Sequence, residues 1–227
     1  MSREDQILDA AEALIVHYGY DKTRVSEIAA EAGVSKGAIY LHFQSKQALM
    51  DGLLVRAMER YGEAWLEAVE ADPRGGTIGG MYRNVLKAVK NSPLIEAMMS
   101  QDPRVLGSYL HAPDGLLRRA QMRSMRAEFI AEMQAVGCVR DDVSPAVVAH
   151  VMDMLGYGLL GAGEMKPREQ IPPMEKTLEL IGELLDARLT PPEAQSDAGK
   201  AVLRRVMSEG QDMMRELARS PDEAEER

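Results

Sequence analysis

The sequence predicts an all-α protein. Three observations predict it. Apolar residues recur at three- and four-residue spacing through most of the 227 residues, and no stretch sustains the β-branched, period-two alternation of a half-buried strand. Prolines, glycines and hydroxyl residues stand where helices would start and stop, cutting the chain into segments of ordinary helical length. With 45% hydrophobic residues the chain can bury a substantial core, in one domain or one domain plus a small headpiece, although only 4% are aromatic.

A charged lead, Ser2 to Asp9, opens a first amphipathic helix over about Arg3–Tyr18 and has none of the pattern of a secretory leader. Two short apolar patterns follow. Val25, Ile28 and Ala29 carry a helix over Arg24–Ala32, and Val34, Ala38, Ile39 and Tyr40 carry another over Ser35–His42. Thr23, Ser35 and Ser45 stand just before successive helices, where a hydroxyl accepts from the unpaired N–H groups of a first turn. Gly33 falls where the first of the pair needs a left-handed C-cap, a conformation glycine enters without steric cost. The Ser35–His42 helix is too short to stand alone, so Ala38, Ile39 and Phe43 must anchor it by packing.

The next helix starts after Ser45 and continues to about Glu70, with a stripe of Leu54, Met58, Tyr61, Trp65 and Val69 to bury. Asp72-Pro73-Arg74-Gly75-Gly76 ends it. Beginning beside the short helix and ending in the body of the chain, it is the obvious lever between them. Beyond it come a helix over about Ile78–Lys90 and a region broken by Pro93, Pro103 and Pro113 into Pro93–Ser100 and Pro103–His111. A helix over about Asp114–Val136 then carries Met122, Met125, Phe129, Met133 and Val136 along one side.

Ser144-Pro145 opens a further helix, with serine as cap and proline in the first turn. From Ala146 to Ala162 its only strongly polar side chains are His150 and Asp153, which raises a membrane span. The length, the interior Asp153 and the crowding of Gly156, Gly158, Gly161 and Gly163 at one end argue against that. Such a helix instead turns one side to its own core and the other to a partner. Pro173–Leu189 repeats apolar residues at Met174, Leu178, Ile181 and Leu185, with Leu180 and Leu184 beside them. After Thr190-Pro191-Pro192, a segment from Ala198 to Arg219 sets Leu203, Val206, Met213, Met214 and Leu217 on one face of an additional helix, weakened in the middle by Gly210. Ser220 to Arg227 form a mostly acidic tail.

Two helices joined by a sharp turn, the second short and bearing donors and small residues outward, make an arrangement that inserts a recognition helix into a major groove. Lys36, Gly37, Tyr40 and His42 form that outer face. The run from Thr23 to Tyr40 reads Thr-x-Val-x-x-Ile-Ala-x-x-Ala-Gly-Val-Ser-Lys-Gly-x-Ile-Tyr, preceded by Gly19-Tyr20 and continued by His-Phe-x-Ser-Lys-x-x-Leu from His42 to Leu49. In these residues the chain resembles the N-terminal headpiece of the TetR family, the tetracycline-repressor-like transcriptional regulators, over about residues 1–50.

The resemblance implies that Lys36, Gly37 and Ala38 approach base edges or the adjacent backbone, and that Thr23, Arg24, Tyr40, His42 and Lys46 contact phosphates or sugars, with Ser35 among the contacting residues. Phosphate contacts set register and base contacts set sequence preference. Gly37 and Ala38 offer little hydrogen bonding, so specificity rests on Lys36, on apolar contact with thymine methyls and on DNA shape. Taken singly, Tyr40 reads as a core aromatic, Lys36 and Lys46 as solvated lysines and His42 as a packing residue; in this order they read as one interface.

The formal net charge of −9 argues at first against a polyanionic ligand. Its distribution softens the objection. The acids Glu4, Asp5, Asp9, Glu12, Asp21, Glu27 and Glu31 precede Ala32, and none lies from Ala32 to Lys46, where Lys36 and Lys46 leave the stretch positive. The first-helix acids are expected to face away from DNA. Affinity per protomer should be modest, salt-dependent and useful only with two headpieces.

The resemblance further implies a homodimer through a four-helix bundle of the helices at about 145–163 and 173–189, hence an approximately palindromic double-stranded operator. It also implies a small lipophilic inducer, and sixteen methionines against two phenylalanines suit an adaptable pocket. Its candidate lining is Trp65, Met98, Met99, Tyr109, Met122, Met125, Phe129, Met152 and Tyr157, although each of these methionines also suits plain core packing. Arg119, Arg123 and Arg126 share one side of a helix, and a solvated face is preferred to an anion site there.

His17, His42, His111, His150 and Cys138 have no metal-ligand spacing and no nucleophile with its base is legible, so neither a cofactor nor an enzymatic activity is expected. The lone Cys138 has no partner for a disulfide within the chain and fits a cytoplasmic setting. The expected organisation is a DNA-binding domain over 1–46 with its motif at about 24–43, a regulatory and dimerisation domain over 47–190, and an additional helix and tail over 191–227. The competing expectation is a dimeric helical lipophile-binding or interaction protein whose headpiece has lost DNA binding.

Overall fold

The computed structural model describes residues 2–89, 92–121, 126–165, 170 and 172–218. They form α1 (Arg3–Tyr18), α2 (Val25–Glu31), α3 (Lys36–His42), α4 (Lys46–Ala71), α5 (Ile78–Val89), α6 (Pro93–Met99) and α7 (Pro103–Leu106), followed by a 3-10 helix (Gly107–His111). Then come α8 (Leu116–Gln121), α9 (Arg126–Ala135), α10 (Pro145–Met165), α11 (Met174–Leu189) and α12 (Ser196–Ala218). The described residues contain no strand, and the chain is all-α. It divides into two compact units: Met1–Arg60 with Ser92–Arg123 and Gly210–Arg227, and Tyr61–Asn91 with Ser124–Glu209. Both α4 and α12 pass from one unit into the other.

In the first unit, Ser2 and Asp5 close a reciprocal capping box on α1, which buries Ile7, Leu8, Ala11 and Ile15. Helix α4 buries Leu49, Met50, Leu53 and Leu54. The Arg56 guanidinium ties the two helices, reaching Asp9 at 2.8 Å, Glu12 at 3.2 Å and the Asp5 carbonyl at 3.2 Å. Two first-helix acids are thereby held by α4 cations. The turn after α1 is fastened to α7 and the 3-10 helix: the Tyr20 N–H donates to the Val105 carbonyl at 2.8 Å, and the Asp21 carboxylate accepts from the Ser108 N–H at 3.0 Å.

A buried polar knot fixes α4 to α8 in the same unit. Asp51 accepts from the Tyr109 hydroxyl, from the Leu116 N–H at 3.2 Å and from Arg119 at 3.1 Å. Burial pushes the Asp51 carboxyl above its ordinary value, and these donors pull it partly back. Burial and the neighbouring Asp51 push the Tyr109 hydroxyl up as well. Arg119 is therefore half-buried and paired rather than part of a solvated face, because Asp51 needs a cation once water is excluded.

The structure corrects two further expectations. Residues 103–111 do not form one helix: Gly107 takes φ +52°, which ends α7 and starts a tighter 3-10 segment. Thr23 does not cap α2, whose N-cap is Arg24, one residue later. The Arg24 N–H is met by the Glu27 carboxylate at 2.8 Å, half of a capping box. Gly33 takes φ +67° after α2, and the Ser35 and Ser45 hydroxyls accept from the Ala38 and Ala48 N–H groups at 3.1 and 3.0 Å, all as expected.

The second unit is built around Val69, Ile78, Met81, Phe129, Ile130, Met133, Val148, Leu185 and Val202. Helices α5 and α11 cross through glycines: a Cβ on Gly79 would lie 2.1 Å from the Gly182 carbonyl oxygen, so only hydrogen fits. Beside that crossing the buried Asp186 accepts from the Gly79 N–H at 3.0 Å, Arg74 at 3.0 Å, Arg83 at 3.2 Å and the Thr190 hydroxyl at 3.0 Å. Cys138 is buried and free. Helix α10 opens at Pro145 as expected, and no helix among the described residues is long and apolar enough to cross a membrane. Of the expected Asp114–Val136 helix, the described parts are α8 and α9; Met122 and Met125 lie outside the described residues, as do Arg123 and the acidic tail.

Candidate nucleic-acid interface

Helix α3 has one inner and one outer side. Ile39 and Phe43 are buried and Ala38 is half-buried, so these three hold it as the spacing predicts. Outward stand Lys36, Gly37, Tyr40, Leu41 and His42, all exposed. The Lys36 Nζ lies 5.7 Å from the Tyr40 ring centroid, which gathers the ammonium and the phenol into one donor patch. No carboxylate occurs on α3 or in the turns flanking it from Ala32 to Lys46.

Among the nine residues singled out by sequence, Arg24, Ser35, Lys36, Gly37, Tyr40 and His42 are at the surface. Two are turned inward. Thr23 is only 2% exposed, its hydroxyl donating to the Gly19 carbonyl at 2.9 Å and lying 3.3 Å from that of Leu14. This plugs the end of α1 and takes the side chain away from the phosphate contact expected of it. The half-buried Lys46 donates to the Tyr20 carbonyl, and its Nζ sits 4.1 Å from the Tyr20 ring centroid. Burial pushes the Lys46 ammonium below its ordinary value, with Asp21 and Glu27 pulling the other way. The outward residue that sequence reasoning passed over is Leu41, which stands four positions after Gly37 and hence on the same side.

The second unit exposes an apolar surface of its own. Val147, Val151 and Met154 on α10 share one side, and Leu180 and Leu184 share a side of α11, at exposures between 43% and 62%. Val148 on α10 and Leu178 and Leu185 on α11 are buried. Of the residues named for a pocket, Trp65, Phe129 and Met152 meet in the second unit's core, where the Trp65 indole donates to the Met81 carbonyl at 3.0 Å. Met98, Met99 and Tyr109 belong to the first unit, and the Tyr109 hydroxyl is occupied by Asp51. The side chain of Tyr157 lies outside the described residues.

An all-α chain with a helix-turn-helix near its start, a carboxylate-free recognition surface and a helical remainder is a DNA-binding regulator in architecture. Known proteins say which kind. The sequence model of bacterial regulatory proteins of the tetR family matches residues 7–53. An HTH-type transcriptional repressor of Mycobacterium tuberculosis is 30% identical over 159 residues, 70% of this chain and 81% of that protein. The fatty acid metabolism regulator protein of Bacillus subtilis is 38% identical over 168 residues, 68% of this chain and 87% of that protein. Among solved structures, FadR of Bacillus subtilis in complex with stearoyl-CoA is similar in fold, at TM-score 0.57 and 19% identity over 79% of this chain and 96% of that one. The chain belongs to the TetR family of transcriptional regulators, and it is a DNA-binding regulator of transcription.

Proposed function

We propose that the chain is a homodimeric repressor that holds an approximately palindromic operator and releases it on binding a lipophilic small molecule. The observation that carries this reading is the exposed, acid-free side of α3, where Lys36, Gly37 and Tyr40 project while Ile39 and Phe43 anchor the helix from behind. Lys36 and Gly37 face bases or the nearby backbone, with the half-buried Ala38 at their margin, and Arg24, Ser35, Tyr40 and His42 face phosphates and sugars. The working division is a DNA-binding domain over 1–46, a regulatory domain over 47–190 and the additional segment over 191–227.

Dimerisation through α10 and α11 is supported by the exposed Val147, Val151, Met154, Leu180 and Leu184, which a second copy of the same surface would cover. The inducer class is argued from relatives: one is named a fatty acid metabolism regulator and a structural neighbour holds stearoyl-CoA. A long acyl chain suits an interior rich in methionine. Such a ligand acts only by binding the DNA-released state better than the DNA-bound one. The protein performs no catalytic step and works in the cytoplasm, beside its DNA.

The test is selection of duplexes from a random-sequence library by the full-length protein, followed by binding isotherms at low and moderate salt with and without stearoyl-CoA. The reading expects an enriched, approximately palindromic site, weaker binding at higher salt and release by the acyl-CoA. No enriched site would return the headpiece to the status of an interaction module. An enriched site that stearoyl-CoA leaves bound would remove the acyl ligand but keep the operator.

A further inference from the structure

We propose that Leu41 is a specificity-determining residue that reads the C5-methyl group of a thymine in the major groove. The inference rests on the DNA-binding reading of α3. Leu41 is 87% exposed, the highest value among the exposed large hydrophobic residues described. Solitary exposed leucines are ordinary on protein surfaces, so exposure alone decides nothing. Position decides it. Leu41 follows Gly37 by one helical turn on the outer side of α3, and the Cβ position of Gly37 meets nothing nearer than the Ser35 hydroxyl at 3.8 Å. The helix surface is therefore shallow at Gly37 and carries an isobutyl group one turn on.

The same side offers few hydrogen bonds to bases. Its long donors are Lys36 and Tyr40, and the Lys36 ammonium leans toward the Tyr40 ring. Leu41 can neither donate nor accept, and pressing it against an O6, N7 or amino group would strip water from that group without compensation. The thymine methyl is the apolar group that a major groove displays, and contact with it is the one base-edge interaction from which this side chain gains. The fold does not need Leu41, because Ile39 and Phe43 seat α3 from the other side.

The experiment uses the full chain and a duplex enriched by selection, with each thymine replaced in turn by deoxyuridine, which lacks only the methyl. Wild type should lose affinity about fourfold per half-site at one thymine position, the scale of one buried methyl group. Leu41→Ala should bind the thymine and uracil duplexes alike while keeping the wild-type thermal transition. Equal wild-type affinity for every uracil duplex would overturn the proposal, as would a Leu41→Ala variant that keeps the full methyl dependence. A selection that enriches no duplex would overturn the DNA-binding reading itself, whereas an enriched duplex without methyl dependence overturns the role of Leu41 alone.

Discussion

Gly37 and Gly33 are four residues apart and invite opposite predictions. At Gly37 a Cβ has room and the backbone is helical, so Gly37→Ala should stabilise the fold by about 0.5–1 kcal/mol through helix propensity. The added methyl stands on the outer side of α3, where the duplex must come close, so the same change should weaken DNA binding. Thermal unfolding and a binding isotherm check the two signs, and a variant as tight as wild type would mean that the backbone at 37 stays away from DNA. At Gly33 a Cβ also has room, but φ is +67°, and Gly33→Ala should cost about 1 kcal/mol by denaturant unfolding. Gly33 was legible in the sequence because a left-handed C-cap favours one residue type. Thr23 was not. A hydroxyl before an apolar run serves equally as a cap or as a plug, and the choice is made by the Gly19 and Leu14 carbonyls, which spacing alone does not bring into view. Lys46 was named as a phosphate contact and turns inward for the same reason, since its partner is the Tyr20 backbone.

Helices α4 and α12 matter at the next scale, because each supplies residues to both units. In the second unit Arg204 meets Glu70 at 2.7 Å and Lys200 donates to the Glu70 carbonyl at 3.0 Å. In the first, Arg215 meets Glu59 at 2.6 Å and Arg119 donates to the Leu217 carbonyl. Each end of α12 is thus tied to the part of α4, or of α8, in its own unit. The Arg215 pair is half exposed and screened by water, so Arg215→Ala should leave the denaturant midpoint close to that of wild type. Asp51→Asn is a different matter, because it leaves the Arg119 guanidinium partly buried without its anion; a loss of about 3 kcal/mol in denaturant unfolding is expected. A loss within about 0.5 kcal/mol, the scale of an ordinary surface change, would show that water reaches the knot. Caps and prolines made the starts of α3, α6 and α10 readable in advance. The break at Gly107 was hidden, since α and 3-10 turns share apolar spacing over so few residues. The α12 helix was visible as an amphipathic stripe, yet nothing local to it pointed to Glu59 or Glu70.

For the molecule as a whole, the bare side of α10 was legible in the sequence as an apolar helix with too little chain around it to cover every face, whereas a partner for α11 was implied by the family resemblance. Which leucines face outward was settled only by packing, with Leu178 and Leu185 going to the core and Leu180 and Leu184 left out. If α10 and α11 form the proposed dimer interface, wild type should be dimeric by light scattering and a Val147→Glu, Leu184→Glu double variant monomeric at the same concentration. The variant should also bind an operator much more weakly, because the second headpiece no longer arrives at high effective concentration. A dimeric double variant would move the interface elsewhere. On the proposed reading, the outer side of α3 carries the protein's action on DNA. The most direct test of that reading is the affinity of the full chain for a selected duplex, wild type against Lys36→Ala, Tyr40→Ala. Both residues are exposed, so the variant should unfold at the wild-type temperature and yet lose at least tenfold in affinity, the scale of about 1.4 kcal/mol. A folded double variant that holds the duplex as tightly as wild type would show that another surface of the protein holds DNA.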